Sequence, residues 1–280
     1  MRGFSLVEMA LVLLIVGLLA AVFLPATNTF LDNNRRKETR AKLEALEQAM
    51  VRFVVVNRRL PCPADGALLP GDANQGLERP VGGGACTPPT QINGVAPWRT
   101  LGLSQGDATD AWGTLVTYRV WPALAQVNGL DMSTRDPTVD GAVPGENQVI
   151  EWLKTRGFRA CNAAACPVTV PVDAAELASK ADGNGVAYFL ISHGANRVHG
   201  FTTDGVYLAT ANGPGPGSRE DVNRNQWDVR TTGTNDFYID AELDENPLPT
   251  VGGTYFDDIV VRPTVISVAM AAGLGPRKQP

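Results

Sequence analysis

The sequence predicts an α+β fold: a long N-terminal helix, half transmembrane and half amphipathic, packed on a loop-rich, mainly antiparallel β-sheet head. Three observations carry this. Residues 4–26 are almost unbroken apolar sequence, residues 37–56 repeat apolar side chains every three or four positions, and the remainder alternates short β-branched and aromatic runs with Gly and Pro. Strands without regularly alternating helices point to α+β. The resulting division is a basic N-terminus (1–3), a transmembrane helix (4–26), its amphipathic continuation (27–60), a globular head (61–262) and a C-terminal tail (263–280).

A helix rises about 1.5 Å per residue, so residues 4–26 suffice in principle for a hydrocarbon core of roughly 30 Å. The segment is too long, and begins too early, for a secretory signal, and it contains an acid, Glu8, that requires a partner. Arg2-Gly3-Phe4-Ser5-Leu6-Val7-Glu8 resembles the processing signal of type IV pilins and type II secretion pseudopilins. The resemblance implies cleavage between Gly3 and Phe4 by a prepilin peptidase and methylation of the new Phe4 amine. That amine lies within a turn's reach of Glu8, on the same or a neighbouring copy, which makes Glu8 the assembly residue. Pro25 falls where many family members carry a helix-kinking proline. Arg35, Arg36, Lys37 and Arg40 follow the segment, against Arg2 before it, and would place its downstream end in the cytoplasm. The cysteines and the processing motif favour the opposite orientation.

Within residues 37–56, Leu43, Leu46, Met50, Phe53 and Val54 share one face that must pack on the head, with a short coiled coil as the rival. Asn57 and Leu60-Pro61 end the helix. With its continuation, the helix would form a rod of about 80 Å, bent or melted near Pro25. Residues 61–107 are broken repeatedly by Pro and by Gly82-Gly83-Gly84, so no long element fits. The four cysteines, Cys62, Cys86, Cys161 and Cys166, read as disulfides in an exported domain, sequence proximity favouring 62 with 86 and 161 with 166. A four-thiolate zinc site competes, although only one pair has knuckle spacing.

Strands are expected over 110–120, 186–192, 237–239 and 254–261, and short helices over 151–158 and 174–181. Asp110-Ala111-Trp112-Gly113 also resembles the lead-in to the first head strand of many pseudopilins. Residues 212–218 form a Gly-Pro loop, and residues 265–274 form an apolar patch without an assigned role.

Residues 1–60 carry nine Lys and Arg against five Asp and Glu, leaving 15 against 24 in the rest, a net charge of −9. Such a head is a poor general ligand for phosphate backbones, and no direct nucleic-acid partner is expected. His193 and His199 are the only histidines. Ser192 precedes His193 directly, so on a strand the two side chains diverge, and Gly194-Ala195-Asn196 resembles a turn of pseudopilin heads rather than a nucleophile site. No enzyme is expected.

No cofactor is expected, with calcium as the one alternative. Asp221, Asn223 and Asn225 alternate as loop ligands do, with Asp228 behind, but Gln226 and Thr232 break the EF-hand pattern. Asp240, Glu242, Asp244, Glu245, Asp257 and Asp258 form an acidic cluster where some pseudopilins hold calcium, and a solvated face competes. Asp257-Asp258 could equally cap the last strand.

The resemblance implies a pilus-like filament subunit whose partners are other subunits, the prepilin peptidase and an inner-membrane assembly platform. Its precursor would reside in the bacterial inner membrane with the head in the periplasm. A subunit of a secretion or DNA-uptake machine is the nearest alternative, and an anchored adhesin or calcium-dependent binder the alternative from another class.

Overall fold

The computed structural model describes residues 5–80, 86, 93–135, 149–162, 176–180, 183–208, 219–223, 237–244 and 255–277, without the side chains at 20–28, 93 and 176. Helix α1 (Leu6–Asn57) is one element of 52 residues. Its start is fixed by a capping box: Glu8 N donates to Ser5 Oγ at 3.3 Å and Ser5 N donates to Glu8 Oε2 at 2.8 Å. It ends where Arg58 turns left-handed (φ 54°) and returns its N–H to the Val54 carbonyl.

The transmembrane half predicted for this helix is corrected. Among the described residues no helix is long and apolar enough to cross a membrane. The apolar part with described side chains, residues 6–19, is shorter than the roughly 20 residues a span requires. Helical backbone continues through position 25 without a melted stretch; the Pro25 side chain lies outside the described residues.

Leu43, Leu46, Met50 and Val54 are fully buried and enter the main core, while Phe53 is half-buried. Opposite them stands an antiparallel sheet ordered β1 (Asn93–Val95), β3 (Thr117–Val120), β6 (Tyr188–Ser192), β9 (Ile259–Val261). β2 (Thr114–Leu115) pairs separately with β7 (Phe201–Thr202). A third sheet places β4 (Arg159–Cys161) between β5 (Glu176–Ala178) and β8 (Phe237–Ile239), and the β4–β8 pair is parallel. The sheet system is therefore mixed.

Helix α2 is Val149–Lys154. The helix expected over 174–181 is replaced by β5: its helix-favouring composition is overridden by pairing of Ala178 with Ala160. The apolar patch at 265–274 packs on the core. Thr264 caps α4 (Val265–Ala271), whose Val265, Val268 and Ala269 join Leu274 in the same core as the α1 stripe.

The loop-rich segment after α1 is fastened twice. Cys62 and Cys86 form a disulfide, which excludes a zinc site through those thiolates. Cys161 is also disulfide-bonded; Cys166 lies outside the described residues. The second fastening is a buried bidentate pair, Arg59 to Glu78 at 2.8 Å on both arms, with Cys62 N donating to Glu78 Oε2 at 3.0 Å.

Candidate functional site

The site grows from two short sequences that the fold brings together. After β6, the chain turns at Gly194 (φ 58°), directing the backbone N–H groups of Ala195 and Asn196 at Asp257 Oδ2, at 2.7 and 3.0 Å. Tyr255 Oη donates to the same oxygen at 3.2 Å. Gly194 is dictated by space as well as by φ: a Cβ there would lie 2.5 Å from Asp257 Cγ.

The third participant, Glu220, comes from α3 (Arg219–Asn223). Its Oε1 accepts from Asp257 N at 2.8 Å, and its Oε2 accepts from Asn196 Nδ2 at 2.7 Å. One helical turn places Asn223 beside it. Asn223 Nδ2 donates to the Ile239 carbonyl at 2.8 Å and to Asp258 Oδ2 at 3.0 Å, and Ile239 N donates to Asn223 Oδ1 at 2.9 Å. Asn223 thus ties α3 to β8 and orients Asp258.

Glu220, Asp257 and Asp258 are all buried, each offering an oxygen within 4.8 Å of the others. Taking a carboxylate out of water favours its neutral form, as happens at Glu220 and Asp257. Burial, reinforced by the neighbouring Asp258 and Asp257 charges, pushes Glu220 up to about 11, and burial raises Asp257 as well. Asp257 Oδ1 is enclosed and receives no hydrogen bond. It is the acceptor left for a shared proton or a cation. Oxygens this close fit a hard ion such as calcium, whose ligand bonds of about 2.4 Å permit ligand separations of about 4.8 Å.

His193 closes the far side. Its Nδ1 lies 3.5 Å from Asp258 Oδ1, and its Nε2 lies 2.9 Å from Thr117 Oγ1. Ser192 Oγ instead donates to Asp110 Oδ2 at 2.7 Å, so Ser192 and His193 serve separate partners. Asp110 Oδ1 accepts from Trp112 N and Thr114 N, at 3.0 and 2.8 Å, which explains the Asp-x-Trp-Gly phrase as a side-chain-closed turn into β2.

The predicted acidic cluster separates. Asp257 and Asp258 reach the site, whereas Asp240 pairs with Arg262, Glu242 faces solvent, and Asp244 bridges to Phe256 through its backbone. Glu245, Asn225, Gln226, Asp228 and Thr232 lie outside the described residues. The alternating calcium loop is corrected at Asp221 and Asn223, because helix α3 turns them to different faces. Glu220, which completes the site, was not singled out by sequence reasoning; its signal is one acid in a short helical stretch, invisible without the fold. His199 is buried with Nδ1 3.4 Å from Tyr207 Oη.

Gly3 and Phe4 lie outside the described residues. Glu8 is engaged by Ser5, a capping pattern readable as Ser-x-x-Glu but not anticipated. Comparison of the chain with protein-family models, curated proteins and solved structures returned no match.

Proposed function

We propose that the chain is a structural subunit of a pilin-like filament, assembled through the N-terminal part of α1. One observation supports this above the others. From Leu6 to Leu19 that helix exposes eleven large apolar side chains, Leu6 at 87 % and even Ile15 at 47 %, whereas its later turns bury one face, Leu43, Leu46, Met50 and Val54, in the core. A helix apolar on all sides needs an apolar enclosure, and equivalent helices of neighbouring copies provide one. Cleavage between Gly3 and Phe4 leaves the Ser5 cap in place and adds a cation at the same helix end as Glu8, giving neighbouring copies a charged register mark. A prepilin peptidase and an inner-membrane assembly platform are the partners this reading requires. The disulfides favour an exported head.

Mass spectrometry of protein isolated from its native cells should find a mature chain beginning with N-methylated Phe4, and Glu8→Ala should leave cleavage intact while reducing incorporation into assemblies. A native chain still beginning at Met1, with no assembled form, overturns the proposal.

The buried carboxylates support a second element, a calcium ion held by Glu220, Asp257 and Asp258 that stabilises the head. Calcium should raise the unfolding temperature of the full chain, and Asp258→Asn should abolish that rise. An equal rise in both proteins refutes the assignment.

A further inference from the structure

Four described arginines beyond helix α1 have a carboxylate partner: Arg58 has Asp131, Arg59 has Glu78, Arg79 has Asp65 and Arg262 has Asp240. Two neighbours do not. Arg135 and Arg156 both stack on Trp152, with guanidinium carbons 5.1 and 4.2 Å from its ring centroid. The two positive charges therefore stand no further apart than about the 10 Å screening length of 0.1 M salt. No carboxylate among the described residues forms an ion pair with either. Arg156 Nη1 is held by the Trp152 carbonyl at 3.1 Å and Thr155 Oγ1 at 3.0 Å; the buried Nε atoms of both arginines have no hydrogen-bond partner.

We propose that Arg135 and Arg156, braced by Trp152, form a binding site for a phosphate-class oxyanion. The chain has a surplus of acids, 29 against 24 basic residues, yet none among the described residues pairs with these guanidiniums. Two cations held close without an acid repel each other, and a compact dianion removes that repulsion while accepting from both planar forks. Burial lowers both arginines, and Arg135 further lowers Arg156, consistent with strain that an anion relieves. Trp152 is only 8 % exposed and belongs to the main core, so the stacking surface is rigid and the arginines need little ordering on binding.

The test uses the full chain and inorganic phosphate, titrated against chloride at constant ionic strength and free of divalent cations. Binding should give a saturable change in tryptophan emission and a rise in unfolding temperature with phosphate but not chloride. Each of Arg135→Gln and Arg156→Gln should weaken the midpoint about tenfold or more, the loss of one charge-assisted hydrogen bond. Trp152→Phe should remove the emission change and keep the thermal shift. Indistinguishable effects of phosphate and chloride on the unaltered chain overturn the site without recourse to any variant, as does an undiminished response in the folded double glutamine variant.

Discussion

Glu220→Gln should make the head more stable at neutral pH when no cation is present. In the native fold Glu220 keeps its proton up to about pH 11, while in the unfolded chain it releases it near 4.5. The folded state therefore binds more protons over that interval, and stability is full below 4.5 and falls as pH rises. At 1.36 kcal/mol per pH unit, folding at pH 7 carries a proton-uptake cost of about 3 kcal/mol. Glutamine has nothing to protonate. It retains one carbonyl oxygen for Asp257 N but cannot also accept from Asn196 Nδ2, at a cost of about 1 kcal/mol. The net gain is about 2 kcal/mol at pH 7, with a shallower fall of stability between pH 5 and 8. Urea unfolding of the full chain in the presence of chelator, at several pH values, measures both. A variant less stable than its parent at pH 7, with an unchanged pH slope, refutes the account of Glu220 as the proton holder.

Three further outcomes follow from the packing. Glu78→Ala leaves the buried Arg59 guanidinium unpaired and should cost about 3–5 kcal/mol in chemical unfolding. Replacing both Cys62 and Cys86 by Ser frees a loop whose ends are 24 residues apart; chain entropy puts the loss at about 3.5 kcal/mol, and denaturation of oxidised parent against variant checks it. Gly194→Ala places a Cβ against Asp257 in a left-handed turn, and should cost at least about 2 kcal/mol and abolish any calcium-dependent thermal shift.

Legibility in the sequence tracked how local each cause is. The stripe from Leu43 to Val54 and the helix stop at Asn57 depend on neighbours three or four residues away, and the periodicity displays both. The run at 237–239 is a strand in sequence and in space. Residues 176–178 misled because their composition favours helix, while their conformation is set by β4, some 17 positions earlier. The same limit applied to the site. Asp257 and Asp258 stood out as adjacent acids, but Glu220 joins them only because α3 docks through Asn223 onto β8. The membrane span failed for a different reason: apolar content indicates that a helix needs covering without saying by what.

The main core joins two elements far apart in sequence, the α1 stripe and α4. During synthesis, Leu43, Leu46 and Met50 emerge some 220 residues before Val265 and Val268 can cover them. Contacts so distant along the chain form slowly. The nascent polypeptide must therefore travel with its seam open, at risk of sticking to other unfinished chains until α4 zips the domain shut.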